Sequence, residues 1–269
     1  MGGIFGLERK NAVVTGGGRG IGRAICLALA GAGADVAVVS TTPERNQAVA
    51  REVEGLGRRA THYAADVSDA SQVEKMARAV MREWGRVDIL VCNAGIQRRS
   101  SFLKCDLDDW KRVIEVNLYG TFHCLKAFLP GMVERGGGRV VVISSIMGKL
   151  PNPFNSSYAA SKHAQLGLVR TLAGELALMG AGGVTVNAVC PGITDTDMIT
   201  GPQGTLTRYA EKQGISVDEA WDRAFRQVSL QGRLLEPSEV AAAVVYLCSE
   251  EARGVTGQAL NVCGGAAFC

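Results

Sequence analysis

Proline and unbalanced charge are two features that this sequence has little of. Only 7 of its 269 residues are proline, and 29 basic side chains against 26 acidic ones leave a net charge of +3. Proteins that bind nucleic acids usually carry a larger basic excess, so we expect no nucleic-acid partner. Disordered chains are poor in apolar residues, and a hydrophobic content of 47% excludes that class.

The sequence also lacks long apolar runs and paired cysteine motifs. No stretch approaches 18 uncharged apolar residues, so we expect no membrane span. Residues 1–6 have no apolar core, and charged residues follow at once, which argues against a secretory signal. None of the eight cysteines forms a C-x-x-C pair, and most lie in apolar runs. We therefore expect free thiols, no metal site and a reducing, cytoplasmic setting.

Short β-branched runs alternate with longer helical patterns along the chain. The predicted strands are 11–15, 35–40, 59–65, 87–92, 139–143, 184–189 and 259–262, and the main predicted helices are 20–32, 43–56, 68–84, 106–133 and 157–179. Apolar strands between helices are typical of parallel sheets covered on both faces. The pattern predicts a single α/β domain over 1–269, with a doubly wound (Rossmann) seven-stranded parallel sheet and helices on both faces. Residues 196–234 interrupt the alternation and predict a helical insertion beyond the strand ends.

A glycine cluster joins the first predicted strand to the first helix. Glycine lets the backbone approach a pyrophosphate, and a helix N-terminus offers free N–H groups and partial positive charge. A plain turn is the alternative, but the position between strand and helix favours a nucleotide site. The residues predicted to contact the cofactor here are Gly16, Gly18, Arg19, Gly20, Ile21 and Gly22.

The end of the second strand discriminates between cofactors. An acidic residue there would bind the ribose hydroxyls of NAD, whereas this sequence has Ser40-Thr41-Thr42. Those hydroxyls, together with Arg19, favour a 2′-phosphate and therefore NADPH/NADP over NAD. A solvated Arg19 is the alternative, and we expect Arg45 to face solvent on the second helix.

Several short motifs occur in a fixed order. They are Thr15 to Gly22, Cys92-Asn93-Ala94-Gly95, Asn117, Ser145, Tyr158-x3-Lys162 and Pro191-Gly192. Together they resemble the short-chain dehydrogenase/reductase family over essentially the whole chain. Tyr158 and Lys162 lie one helical turn apart and so share a face. A nearby ammonium lowers the pKa of a phenol from its usual value near 10, which suits acid–base catalysis.

The resemblance implies a role for each member of the catalytic set. Tyr158 is expected to donate a proton to a carbonyl oxygen, and Ser145 to hydrogen-bond the same oxygen. Lys162 also binds the nicotinamide ribose, and Asn117 holds a water that links Lys162 to solvent. Ser144, next to Ser145, is expected to be structural.

The same resemblance implies further cofactor contacts. Asp66 is expected at the adenine ring, residues 93–95 at the centre of the cofactor, and Thr196 at the nicotinamide amide. Cys92 replaces a more usual Asn, with little expected effect. The predicted cofactor set outside the glycine cluster is Ser40, Thr41, Asp66, Val67, Asn93, Ala94, Gly95, Tyr158, Lys162, Pro191, Gly192, Thr194 and Thr196.

The substrate is suggested by segments 187–192, 237–241 and 258–265. They are similar to bacterial polyketide ketoreductases and 3-oxoacyl thioester reductases, which implies a 3-oxo thioester carried on coenzyme A or an acyl carrier protein. Arg98 and Arg99 are candidate anion contacts at the mouth of the site. We expect the basic residues of the insertion to form a solvated face, although they could attract the same carriers; they are Arg208, Lys212, Arg223 and Arg226.

Two alternative functions stay open at this point. One is an NAD-dependent secondary-alcohol or 3-hydroxyacyl-CoA dehydrogenase that works oxidatively. The other is a non-catalytic nucleotide-binding subunit, since fold alone does not determine function. The family resemblance also implies a homotetramer.

Overall fold

Seven parallel strands form one sheet in the computed structural model, which describes residues 4–269. Their order in the sheet is β3-β2-β1-β4-β5-β6-β7. The strands are β1 (Asn11–Thr15), β2 (Asp35–Ser40), β3 (Ala60–Ala64), β4 (Ile89–Cys92), β5 (Gly138–Ile143), β6 (Val184–Pro191) and β7 (Ala259–Val262). The predicted seven-stranded parallel sheet is confirmed, and each strand starts and ends within two residues of its predicted bounds.

Helices cover both faces of this sheet, as predicted. The α-helices are α1 (Gly20–Gly31), α2 (Pro43–Gly55), α3 (Ala70–Trp84), α4 (Leu107–Ile114), α5 (Gly120–Glu134), α6 (Ser156–Leu178), α7 (Thr205–Gln213), α8 (Val217–Ala220) and α9 (Pro237–Cys248). Alternate strand residues point to opposite faces. Val13 and Val140 therefore join a core with α3, α5 and α6, while Val14 and Val141 join a second core with α1, α2 and α9.

The order of the strands creates a crevice at one edge of the sheet. From β1 the chain moves outward to β3 and then returns to the centre, where β4 pairs with the other side of β1. The loops that follow β1 and β4 consequently diverge at their carboxyl ends. Ligands of doubly wound sheets bind at such a switch point.

The prediction of one continuous helix over 106–133 is wrong in one respect. The structure has α4 and α5, joined by one turn of π-helix at Glu115–Tyr119. A π-turn holds one extra residue and is frequent at functional sites. Here it contains Asn117, which is fully buried.

The predicted helical insertion is present and has a small core of its own. It contains α7, α8, a π-turn at Trp221–Phe225 and a 3₁₀ turn at Arg226–Val228. Leu206 and Ala210 of α7 pack with Ala220 of α8. We call residues 196–234 the lid, because they overhang the crevice described below.

Two other features of residues 4–269 bear on function. No helix in this part of the chain has both the length and the apolar character needed to span a membrane. Within the same residues, no group of three or more His, Cys, Asp or Glu side chains is arranged to hold a metal ion.

Candidate active site

A cleft of about 680 Å³ lies at the carboxyl ends of the central strands, between the sheet and the lid. All the residues predicted to contact a cofactor line it, and so does Ser145. Asn117 is not among the residues that line it, although it was predicted with the catalytic set. The structure thus brings side chains from nearly every strand end to one place.

The glycine cluster packs too tightly for side chains at its closest points. A Cβ on Gly22 would lie 2.0 Å from the carbonyl oxygen of Gly16, and Gly16 itself has a φ of +64°. Helix α1 begins at Gly20, and within the described residues no side chain caps it and no acidic residue occupies its first turn. Its free N–H groups at the cleft wall fit a pyrophosphate.

The residues that follow β4 hold this glycine cluster in place through hydrogen bonds. The Asn93 side-chain amide donates to the carbonyl oxygens of Thr15, at 2.9 Å, and Gly16, at 3.1 Å. The Thr15 hydroxyl accepts from the backbone N–H groups of Asn93 and Ala94. Asn93 therefore fixes the loop that would carry the cofactor.

Ser40 and Arg45 line the cleft beside the end of β2. The Ser40 hydroxyl donates to Asn46 Oδ1 at 2.5 Å, so it is already engaged inside the protein. Arg45 is exposed, as expected, and it also lines the cleft with Thr41. A Cβ on Gly18 would lie 3.1 Å from the Arg45 Cβ, so the stem of Arg45 rests directly against the glycine cluster.

Arg19 bridges the two sides of the cleft. Its guanidinium donates to Asp197 Oδ2 of the lid at 2.8 Å, with both side chains more than half exposed. A Cβ on Gly20 would lie 3.3 Å from Thr196 of the lid. The lid therefore rests on the glycine cluster through one ion pair and one close contact.

Asp66 belongs to a charged cluster at the far end of the cleft. Its carboxylate accepts from Arg112 at 2.5 Å and from the Ser68 hydroxyl at 2.7 Å. Burial raises the pKa of Asp66, but the hydrogen bonds from Ser68 and Arg112 outweigh it and hold the pKa below its ordinary value. Arg112 lines the cleft and was missed by sequence reasoning, because its approach to Asp66 depends on how α4 packs.

Tyr158, Ser145 and Lys162 converge at the centre of the cleft. The Lys162 ammonium lies 5.5 Å from the centre of the Tyr158 ring and donates to the Ile143 carbonyl at 2.8 Å. Burial lowers the pKa of Lys162 to about 8. Burial raises the pKa of Tyr158 above its ordinary value, and the hydrogen bond with Ser145 only opposes that rise, so the lowering expected from Lys162 is not found. The neighbouring Ser144 donates instead to the Lys162 carbonyl at 3.1 Å.

Asn117 lies directly behind this group, in the π-turn. Its side-chain amide exchanges two hydrogen bonds with the backbone of Ile96 and donates to Ser161 at 3.0 Å. Gln165, which sequence reasoning missed, lies between the main-chain carbonyl of Asn117 and the Lys162 ammonium. The available signal was a polar residue three positions after Lys162, on the helix face that also carries Leu166 and Val169.

The two arginines predicted at the mouth separate in the structure. Arg98 approaches Asp109 at 3.5 Å and is not among the residues that line the cleft. Arg99 lines the cleft, and across residues 4–269 no acidic side chain pairs with it. Burial lowers the pKa of Arg99. Of the two, only Arg99 offers its charge to the cleft.

The lid presents an apolar surface to the same cleft. None of its four basic residues named above is among the cleft-lining residues, and two of them, Arg223 and Arg226, pair with acids one turn earlier on the surface. Most of the lid side chains that line the cleft are apolar, and Thr196, Asp197 and Thr205 are the polar ones. The apolar ones are Met198, Ile199, Tyr209, Ala224, Phe225 and Val228.

Known proteins match this chain along nearly its full length. The 3-oxoacyl-acyl-carrier-protein reductase FabG of Thermotoga maritima is 35% identical over 259 residues, which cover 96% of this chain and 98% of that protein. A short-chain dehydrogenase/reductase of Armillaria gallica is 38% identical over 271 residues and covers 97% of both chains. A solved variant of actinorhodin polyketide ketoreductase with NADPH superposes with a TM-score of 0.89 at 38% identity, covering 96% of this chain and 97% of that one.

The family model described as short chain dehydrogenase matches residues 10–203. That range contains the glycine cluster, Ser145, Tyr158 and Lys162, and it ends inside the lid. The match to the model and the near-complete coverage of both relatives agree with the geometry of the cleft. The chain belongs to the short-chain dehydrogenase/reductase family and is an oxidoreductase.

Proposed function

We propose that this protein is an NADPH-dependent ketoreductase that reduces a 3-oxoacyl thioester or a similar ketone. The observation that carries the proposal is the convergence of Tyr158, Ser145 and Lys162 in a cleft whose other end suits a dinucleotide. The named activities of FabG and of the actinorhodin ketoreductase support it. An intact set of acid–base side chains argues against a non-catalytic subunit.

The chain's own residues supply acid–base chemistry. The hydroxyls of Ser145 and Tyr158 hold the substrate carbonyl oxygen, and Tyr158 gives that oxygen its proton as the carbonyl is reduced. A bound NADPH supplies the hydride that reduces the carbonyl carbon. The Lys162 ammonium stabilises the phenolate left on Tyr158, because a positive charge nearby favours the charged form.

The cofactor proposal rests on the end of β2. No carboxylate lies there to repel a 2′-phosphate, because β2 ends at Ser40 and is followed by Thr41 and Thr42. We assign the main phosphate contact to Arg45, with Thr41, rather than to Arg19. The reason is that Arg45 has no acidic partner among the ion pairs of residues 4–269, whereas Arg19 is held by Asp197. The remaining predicted cofactor residues keep their proposed roles.

For the substrate, we propose that Arg99 contacts an anionic group of a thioester carrier. A phosphate on coenzyme A or on the arm of an acyl carrier protein has the right charge. The apolar lid surface would take the acyl chain. Arg98 is left out of this proposal because Asp109 already neutralises it.

We also propose a homotetramer in the cytoplasm. The segment from 102 to 122 exposes several large apolar side chains that a partner subunit would cover. They are Phe102, Leu103, Leu107, Tyr119 and Phe122. All eight cysteines are free thiols, which suits a reducing compartment.

A kinetic assay with both cofactors tests the function. The purified protein is given NADPH or NADH and a panel of small ketones and 3-oxoacyl thioesters, and oxidation of the cofactor is followed by its absorbance. We expect turnover that prefers NADPH and a thioester. Preference for NAD with a secondary alcohol or a 3-hydroxyacyl thioester would support the oxidative alternative, and no turnover in either direction would support a nucleotide-binding subunit.

A further inference from the structure

Gln165 is a fully buried polar side chain at the heart of the site, one turn after Lys162 on α6. Its Oε1 accepts from the Lys162 ammonium at 3.1 Å. Its Nε2 donates to the main-chain carbonyl of Asn117 at 2.8 Å and to the Thr121 hydroxyl at 3.0 Å. Buried polar atoms must be paired to be tolerated, and here both N–H groups and the oxygen of the amide meet a partner.

The carbonyl of Asn117 is consequently occupied. Besides Gln165, the Thr121 hydroxyl donates to it at 2.7 Å, and a carbonyl oxygen has two lone pairs. The Asn117 side chain is equally engaged, by Ile96 and Ser161. A water held by Asn117 beside Lys162, which the family resemblance implies, would have to displace the Gln165 amide.

We propose that Gln165 is a positioning residue that replaces this water and joins Lys162 directly to the π-turn. The inference rests on the proposed function for its catalytic meaning. A water can accept a proton on one side and release another on the opposite side, whereas a side-chain amide holds its protons. The connection from Lys162 to Asn117 is therefore electrostatic and does not conduct protons.

The position of Lys162 explains why such a partner is needed. An ammonium out of water is costly unless acceptors surround it. The Ile143 carbonyl and Gln165 Oε1 are the two that it contacts, which leaves the remaining N–H on the cleft side. The titratable groups that face it are Tyr158 from the same helix and Cys190 from β6. Gln165 thus keeps the ammonium charged and aimed at the cleft.

The test measures the pKa of Lys162 without cofactor or substrate. The full-length protein is labelled with ¹³C-lysine, and the Cε signals of its eight lysines are followed by NMR against pH, with Lys162→Arg used for assignment. We expect Gln165→Met, which keeps the volume but removes the acceptor, to lower the Lys162 midpoint by about one pH unit. Leu166→Ala, a core change on the same helix that does not touch the amine, should leave the midpoint unchanged.

A second variant tests the replacement of water. Gln165→Ala leaves a polar cavity large enough for one water, which can form hydrogen bonds with both Lys162 and Asn117. Its midpoint should lie between those of the wild type and Gln165→Met. A Met variant with the wild-type midpoint, or an Ala variant at or below the Met value, would overturn the proposal. Because the titration needs no turnover, this result is separate from the success or failure of the kinetic assay.

Discussion

The two walls of the cleft are built in different ways. The wall formed by the strand ends and α6, here called the polar wall, carries Ser145, Tyr158 and Lys162 among apolar side chains. Buried hydrogen bonds, such as those of Asn93, Asn117 and Gln165, support it. The lid wall is mainly apolar toward the cleft, apart from Thr196, Asp197 and Thr205, and packs mainly on its own small core. Polar side-chain contacts that tie it to the rest of the chain include Arg19–Asp197, Gln97–Thr205, Ser229–Gly264 and Arg233–Glu239.

This difference separates two tasks. Acid–base chemistry needs atoms held to within a fraction of an ångström, which a satisfied buried network provides. Under the proposed function, substrate choice needs a surface that can admit and enclose an acyl chain, a role that suits a separately packed lid. Variants in one wall should therefore change rate constants, whereas variants in the other should change substrate affinity.

Two tyrosines that line the cleft make the sharpest comparison. Tyr158→Phe removes the proton donor and should lower kcat for ketone reduction by about 10²- to 10⁴-fold, the usual contribution of a general acid. Tyr209→Phe removes the corresponding phenol hydroxyl from the lid and should leave kcat within about threefold of the wild type. Steady-state kinetics of both variants measure this. An equal loss in the two would remove the distinction between the walls.

Two buried leucines separate stability from substrate capture. Leu206→Ala in the lid core and Leu90→Ala in the sheet core each lose about 2–5 kcal/mol of packing. In the lid variant we expect KM for the substrate to rise at least about tenfold, with little change in the dissociation constant of NADPH. In the sheet variant we expect the urea midpoint of the whole protein to fall, with KM nearly unchanged. Urea denaturation and steady-state kinetics of both variants measure these effects. A raised KM in the sheet variant with an unchanged KM in the lid variant would contradict the expectation.

Arg45 tests the cofactor end of the polar wall. A hydrogen bond between charged groups contributes about 1.5–3 kcal/mol, so Arg45→Gln should raise KM for NADPH about 10- to 100-fold and leave KM for NADH unchanged. Arg51→Gln on the same helix, away from the cleft, is the control. A larger effect from Arg19→Gln than from Arg45→Gln would return the phosphate contact to the glycine cluster.

Arg99 gives the smallest of these effects. It is partly solvated, so its contact with a carrier phosphate is worth about 1 kcal/mol. Arg99→Ala should raise KM for a coenzyme A thioester roughly fivefold, while KM for a small neutral ketone stays constant. Arg98→Ala, outside the cleft, should change neither. Equal changes for both substrates would show that Arg99 supports the loop and does not contact the carrier.

The polar wall could be predicted largely from local signals. The glycine cluster, Ser145 and the Tyr158–Lys162 spacing are short motifs whose chemistry requires those residue types at those intervals. The positions of Arg45, Arg112 and Gln165 could not be predicted, because a helical periodicity does not specify which neighbour each side chain meets. The same holds for the π-turn, which one extra residue in the helix creates.

The sequence by itself determined the order of strands and helices, the glycine-rich start of α1 and the candidate acid–base side chains. These follow from hydrophobic period and backbone freedom, which are local properties. The tertiary structure decided that Arg19 binds the lid, that Arg45 reaches the cleft, and that Gln165 stands between Lys162 and Asn117. Each of these depends on how separate elements pack, because a polar side chain takes whichever partner the packing brings within about 3 Å.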